Sequence, residues 1–312
     1  MKRLLSFLLA LLLPAAAFAS PLEAAAPFDL ETPSYLLMEA STGQVVFEKN
    51  ADERRPVASV IKLMTILLTL EALDAGSISL GDSVTVSRGA AGMGGSQALL
   101  DAGSEYKLEE LLKSTIVASA NDAAVALAEH IAGTEANFVD QMNARAAALG
   151  MSNTVYKNCT GLPADGQYTT ARDVATVSRE LGQHAQFFKY STIWMDTLKH
   201  KGGRVTDLTN TNRLVRFYEG CDGFKTGSTN EARYCVSATA KKDGMRLIAV
   251  VLGTPASQTR FNEARKILEY GFSTYRLFPV FSEGDQLDMR VKVTRGGTDA
   301  VDAAIGSGMT LL

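Results

Sequence analysis

Ser59 and Lys62 are the residues in this sequence whose types and spacing most directly suggest chemistry. Lys62 sits in the run Val60-Ile61-Lys62-Leu63-Met64-Thr65-Ile66-Leu67-Leu68-Thr69-Leu70, where eight of eleven side chains are apolar. A run that apolar predicts a helix buried on most of its surface. An ammonium there must snorkel out, find a partner or lose its proton, because desolvation disfavours the charged form. Positions three apart share a helix face, so the Lys62 amine can reach the Ser59 hydroxyl. That is an activated serine in outline, a nucleophile beside a base that needs no histidine.

Alone, the S-x-x-K spacing is a weak signal. Ser104-Glu105-Tyr106-Lys107 matches it too, in a polar pre-helix loop where nothing would desolvate the lysine. The pair at 59 and 62 reads equally as a buried serine bonded to its i−4 carbonyl beside a snorkelling lysine. Two further elements change the balance. Ser119-Ala120-Asn121 falls in a short break between helices, where Ser and Asn also serve as plain N-caps, and S-x-N recurs at Ser228-Thr229-Asn230. Lys225-Thr226-Gly227 occurs once and ends a predicted strand. Its glycine would let a substrate backbone approach the strand edge and its lysine adds positive charge, although a hairpin turn would use the same residues. Gly94-Gly95-Ser96-Gln97-Ala98 imitates a nucleophile elbow but follows no strand, and His130, His184 and His200 form no H-E-x-x-H. Ser-His-Asp and zinc hydrolases are therefore disfavoured.

The elements that must position these residues are legible in outline. Runs at 35–38 and 44–47 flank Ser41-Thr42-Gly43 and predict a β-hairpin. The buried helix starts near Pro56 and stops around Gly76, which places Ser59 in its first turns, where unpaired N–H groups tolerate developing negative charge. Helices follow at 108–117, 122–131, 135–149 and 171–181, the last capped by Thr169 or Thr170. From Cys221 the pattern turns to strands at 222–226, 234–240 and 247–253, then an amphipathic helix at 259–270. Strands at both ends with helices between imply a mixed α/β fold, one sheet closed by both ends of the chain with a helical lobe inserted. Residues 286–294 alternate as a half-exposed strand and begin a small C-terminal β domain.

At the N-terminus, Lys2 and Arg3 precede an apolar stretch at 4–13 and then Ala17-Phe18-Ala19. This is a secretory signal peptide, shorter than a spanning helix, with the mature chain starting at Ser20. The expected organisation is thus signal peptide 1–19, leader 20–33, main domain 34–276 and partial β domain 277–312. The full chain of 312 residues carries a formal charge of −3. Without Lys2 and Arg3 it is −5, with 29 basic against 34 acidic residues, which argues against a nucleic-acid partner. Cys159, Cys221 and Cys235 cannot all pair internally, lack metal-ligand spacing with the histidines, and read as solitary core residues rather than a disulfide.

The three motifs in this order, on a helix start, a helix break and a strand end, match the set of the penicillin-recognising serine enzymes, with S-x-N in place of S-D-N. The surrounding segments extend the match. They are Met38-Glu39-Ala40-Ser41-Thr42-Gly43, Arg55-Pro56-Val57-Ala58-Ser59, Gly95-Ser96, Ser119-Ala120-Asn121-Asp122-Ala123-Ala124, Asn158-Cys159-Thr160-Gly161-Leu162-Pro163, Asp222-Gly223-Phe224-Lys225-Thr226-Gly227 and Leu268-Glu269-Tyr270-Gly271-Phe272. Over about residues 30–290 the chain resembles the D-alanyl-D-alanine carboxypeptidases, the low-molecular-mass penicillin-binding proteins, although Val60 and Ile61 stand where that family often has threonine.

The resemblance implies a β-lactamase/transpeptidase-like fold and an enzyme of the cell envelope. Its substrate would be a peptidoglycan stem peptide ending in D-Ala-D-Ala, its covalent inhibitors β-lactams, and no metal or organic cofactor would be needed. Membrane association would come through a C-terminal amphipathic helix that residues 1–312 do not include. Ser59 would attack with Lys62 as base, and Ser119 would relay the proton to the leaving amine. Asn121 would hold the substrate amide and the lysine. Lys225 and Thr229 would bind the terminal carboxylate, Thr226 and Gly227 would pair with the substrate backbone, and the N–H groups of Ser59 and Ser228 would form the oxyanion hole. Burial and the charge of Lys225 would both lower the Lys62 pKa. The rival readings are a serine β-lactamase, for which 158–170 offers only Asp165 as a water-holding carboxylate, and a non-catalytic muropeptide-binding protein on the same scaffold.

Overall fold

A computed structural model describes residues 27–292, 300–304 and 308–312. The expected signal peptide lies outside these residues, as do the last two residues of the strand expected at 286–294. The chain opens with the hairpin β1 (Ser34–Glu39) and β2 (Val45–Lys49). A 3₁₀ turn at Ala58–Ile61 then leads into α1 (Lys62–Asp74), which ends at Gly76 in the left-handed region, φ +68°. Next come β3 (Ser83–Thr85), α2 (Arg88–Ala91), β4 (Glu105–Lys107), α3 (Leu108–Val117), α4 (Asn121–Ala132) and α5 (Glu135–Ala148). After α6 (Ala171–Leu181) and α7 (Ala185–Ser191), the hairpin β5 (Met195–Lys199) and β6 (Val205–Thr209) and the short α8 (Leu214–Phe217) lead to three long strands. These are β7 (Cys221–Thr229), β8 (Arg233–Lys242) and β9 (Met245–Thr254), followed by α9 (Ser257–Thr274). Four short strands, β10 (Phe278–Phe281), β11 (Gln286–Lys292), β12 (Ala300–Ala304) and β13 (Met309–Leu311), pair β10 with β13 and β11 with β12.

The main sheet is antiparallel in the order β2-β1-β9-β8-β7, so both ends of the chain close it and the helices from α1 to α7 intervene, as expected. Its strands are apolar on both faces because both faces are covered. Leu36, Met38, Ile248, Val250 and Leu252 face the core shared with α1, α4 and α6, while Tyr35, Leu37, Leu247, Ala249 and Val251 face the core under α9. Side chains alternate across a strand, so this two-sided covering accounts for the unbroken apolar runs. Gly271 on α9 is required by close approach, since a Cβ there would lie 2.5 Å from Leu247 Cδ1.

Two expected boundaries shift. The helix does not begin near Pro56, because Ala58 takes φ +50° and the segment to Ile61 is a 3₁₀ turn, with α-helix starting only at Lys62. Lys225-Thr226-Gly227 lies inside β7, where pairing with β8 continues through Thr229 opposite Arg233. The caps and cysteines fall as expected. Thr170 accepts from Asp173 N to cap α6, and all three cysteines are buried and unpaired, with burial pushing the Cys221 thiol up to about 12 and the Cys235 thiol to about 11.

Candidate active site

Three elements converge on Lys62. The turn Ala58–Ile61 presents Ser59, the break between α3 and α4 presents Ser119 and Asn121, and β7, an edge strand of the sheet, presents Lys225. Two glycines allow the first of these to pack. A Cβ on Gly227 would lie 2.2 Å from Val57 O and 3.0 Å from Ser59 N, and one on Gly161, at φ +81°, would lie 2.0 Å from Ala58 O. The sequence reading gave Gly227 the task of admitting substrate. The structure shows that it first admits the backbone of the serine's own turn.

Lys62 is fully buried, and its Nζ lies 3.0 Å from Ser59 Oγ and 2.6 Å from Thr160 O, with Asn121 Oδ1 as the third neighbour. Two of these partners are carbonyl oxygens, which only accept. Charged, the amine can donate to all three oxygens; once neutral it has two N–H donors, and with both given to the carbonyls its lone pair is left for the Ser59 hydroxyl. Burial is the largest influence on this amine and pushes its pKa down to about 7, against the opposing negative charge of Asp122. Lys225 is also fully buried, and its pKa is held well below the usual range by burial and then by repulsion from Lys62. The mutual repulsion expected to act on Lys62 thus falls on Lys225, and burial alone accounts for the lowering at Lys62.

Ser119 takes φ +62°, a costly conformation for a residue with a side chain. The residue flanking α4 is Ala120, with no side-chain cap, so the plain N-cap reading of this motif fails. Instead Ser119 Oγ accepts from Lys225 Nζ at 2.7 Å. Asn121 is the first residue of α4, its N donating to Ser96 O at 2.7 Å and its Nδ2 to Gly94 O at 2.6 Å. Asp122 continues the same grip by accepting from Ala98 N and Leu100 N. The Gly-rich segment that imitated a nucleophile elbow is therefore a clamp on Asn121.

Along β7 the expected roles separate. Lys225 Nζ also donates to Thr226 O at 3.2 Å, and Thr226 Oγ1 donates to Thr211 Oγ1 at 2.8 Å. Ser228 is exposed at the strand edge, beside Gly227 and so next to the Ser59 turn. Thr229, expected to share the carboxylate with Lys225, lies ~13 Å further along the strand, and its Oγ1 accepts from Ala232 N in the β7–β8 turn. The lysine of the second S-x-x-K copy, Lys107, is exposed and donates to Gly81 O.

Sequence reasoning missed the main-chain partners. The Thr160 carbonyl is fixed by Asn158, whose Oδ1 accepts from Gly161 N at 2.7 Å and from Thr160 N at 3.2 Å. The only sequence signal was Asn158-Cys159-Thr160-Gly161, an Asx-turn pattern to which no role had been given.

The sequence profile of the D-alanyl-D-alanine carboxypeptidases matches residues 21–256. The chain is 42% identical over 282 residues to D-alanyl-D-alanine carboxypeptidase DacF of Bacillus subtilis, an alignment covering 90% of this chain and 72% of that one. It is 38% identical over 267 residues to DacC of Escherichia coli, covering 82% and 64%. Among solved structures, penicillin-binding protein 5 of Haemophilus influenzae superposes with a TM-score of 0.84 at 30% identity, covering 92% of this chain and 83% of that one. Penicillin-binding protein D2 of Listeria monocytogenes, in its ampicillin-bound form, gives 0.70 at 31% identity, covering 79% and all of that chain. The chain belongs to the D-alanyl-D-alanine carboxypeptidase family of penicillin-binding serine peptidases.

Proposed function

We propose that this protein is a serine-type D-Ala-D-Ala carboxypeptidase that removes the terminal D-alanine from peptidoglycan stem peptides and is acylated by penicillin. The observation that carries the mechanism is the buried Lys62, whose Nζ is 3.0 Å from Ser59 Oγ and is otherwise met by two acceptors, Asn121 Oδ1 and Thr160 O. Lys62 takes the proton of Ser59 as Oγ attacks the carbonyl between the last two D-alanines. The oxyanion is met by the N–H groups of Ser59 and Ser228. Lys225 and Thr226 receive the terminal carboxylate, and Asn121 orients both the lysine and the substrate amide. The edge of β7 that ends at the exposed Ser228 takes the extended peptide as an added strand. Ser119, polarised by Lys225, delivers a proton to the departing amine. Water then hydrolyses the ester and restores Ser59.

A serine β-lactamase would need a carboxylate-held water beside Lys62. The neighbours of the Lys62 amine are Ser59 Oγ, Asn121 Oδ1 and the Thr160 carbonyl, none of them a carboxylate, and Asp165 is exposed. A D-Ala-D-Ala carboxypeptidase works on peptidoglycan in the cell envelope, consistent with export by the N-terminal segment. The test is intact-protein mass spectrometry after penicillin, with D-alanine release from diacetyl-Lys-D-Ala-D-Ala. The adduct should map to Ser59, and Ser59→Ala should lose both signals. Labelling at Ser96 or Ser104 would overturn the mechanism.

A further inference from the structure

Beside Lys62, seven consecutive residues from Tyr156 to Leu162 give their main-chain N–H groups to side chains. Tyr156 N donates to Asn143 Oδ1, Lys157 N and Asn158 N to Gln167 Oε1, and Cys159 N to Glu135 Oε1 at 3.0 Å. Thr160 N and Gly161 N donate to Asn158 Oδ1, and Leu162 N to Thr160 Oγ1. A helix or strand has its path set by its own ladder of main-chain bonds. This segment takes its path from the residue types around it.

Its carbonyls are held from α1. Lys62 and Thr65 lie three apart on that helix, hence on one face, and they grip two successive carbonyls. Lys62 Nζ donates to Thr160 O at 2.6 Å, and Thr65 Oγ1 donates to Cys159 O at 2.7 Å. Thr65 is fully buried, and its bond is not the one a helical threonine usually makes. Thr69, Thr115 and Thr176 each donate to the carbonyl four residues back in their own helix. Thr65 passes over that choice and reaches across to a different segment.

Two successive peptide planes are thereby held in the same way, each by α1 at its oxygen and by Asn158 at its nitrogen. The first joins Cys159 to Thr160 and is held by Thr65. The second joins Thr160 to Gly161 and is held by Lys62 itself. Lys62 must change protonation state during the reaction, so it cannot be the fixed point of its own surroundings. As an ammonium it can donate to three oxygens; as a neutral amine it has two donors and must choose. A Thr160 carbonyl free to swing would let the neutral amine donate to Ser59 Oγ and turn its lone pair away from the proton it has to take.

We propose that Thr65 is a positioning residue for the general base: by fixing the peptide plane that precedes the Thr160 carbonyl, it keeps that carbonyl in place to hold one N–H of Lys62 while the lone pair faces Ser59. This rests on the carboxypeptidase reading of the same site. Thr65 touches neither substrate nor the reacting atoms and acts through Cys159 and Thr160. Glu135, in the first turn of α5, secures the same residue from the other side through Cys159 N.

Rapid-mixing acylation of the full chain by penicillin separates the affinity of the first complex from the rate constant for ester formation. Measured at pH 9, where Lys62 is unprotonated, Thr65→Val should lower that rate constant about tenfold and leave the dissociation constant within about twofold. Thr65→Ser keeps the hydroxyl and should stay within about threefold of the wild type. A lowered melting temperature with the rate constant intact, a loss confined to affinity, or a serine variant as slow as the valine variant would each overturn the inference. A loss at pH 7 that disappears at pH 9 would overturn it too, since that is a shifted titration and not a misplaced base. Should Thr65→Val fail to fold, Glu135→Ala, at a partly exposed position, carries the test: about a fivefold loss in the same rate constant is expected, and a wild-type rate overturns the inference. A wild type that penicillin does not acylate would defeat the carboxypeptidase reading itself.

Discussion

Acylation of Ser59 should rise through neutral pH with a midpoint near 7, because the base must be unprotonated to act. An ordinary lysine with pKa about 10.4 is about 0.04% neutral at pH 7. With its pKa pushed down to about 7, Lys62 is about half neutral there, a gain on the order of 10³ in active base. Below the midpoint each pH unit should cost about tenfold, so the rate at pH 5 should be about one hundredth of the plateau. Single-turnover labelling with a fluorescent penicillin, between pH 5 and 9, measures this directly. Lys62→Arg keeps the charge but cannot give up a proton, and it should lose about 10² to 10⁴ in rate. The same shift has a stability signature. The folded pKa is depressed from 10.5 to about 7, so between those values the unfolded chain binds more protons and stability rises with pH, by up to about 5 kcal/mol across the window. The melting temperature of the wild type relative to Lys62→Met should therefore climb from pH 7 to 9. A rate midpoint near 10, or Lys62→Arg retaining more than about a tenth of the wild-type rate, would make the lysine an electrostatic prop and place the base elsewhere.

Two further outcomes follow from the packing. Gly227→Ala puts a Cβ 2.2 Å from Val57 O, which must push the Ser59 turn off β7; acylation by penicillin should fall more than about 100-fold, and an unchanged rate would remove the glycine from the argument. Arg204 Nη2 donates to Leu99 O and to Asp101 Oδ1, both at 2.7 Å, and so pins from outside the loop that Asn121 and Asp122 hold from within. Arg204→Ala should slow acylation about three- to tenfold at saturating penicillin, Arg204→Lys should recover part of it, and a melting temperature that falls while the rate holds would reduce Arg204 to a structural tie.

Much of this site is legible in the chain because side-chain identity and local period carry it. The hairpin around Gly43 and the helices at Leu108–Val117 and Ala171–Leu181 follow from capping and turn residues within a few positions of where they act. What was not legible depends on partners distant in sequence or on the main chain. The 3₁₀ turn that displaces the start of α1 goes with the close approach of Gly161 and Gly227, about 100 and 170 residues away. The Thr160 and Gly94 carbonyls that hold Lys62 and Asn121 have no residue-type signature, since every residue carries one. Thr229 was paired with Lys225 by the family resemblance, and its bond to Ala232 N in the β7–β8 turn is a contact that residue types alone do not show.

The edge of β7, which pairs with no strand among the described residues, carries a cost outside catalysis. A free strand edge templates pairing with any extended chain, and soluble proteins usually blunt such edges with prolines, bulges or projecting charges. None of these can be placed at Gly227 and Ser228 without spoiling the surface on which a substrate peptide must lie. Protection has to come from the neighbours: the Ser59 turn pressed against Gly227, and the α3–α4 break tied to Lys225 through Ser119. These walls narrow the approach to the edge. Colloidal stability therefore depends on the two lobes staying together, so heat that merely parts them should precipitate the protein before its core melts, and a bound penicillin, filling the edge, should keep it in solution.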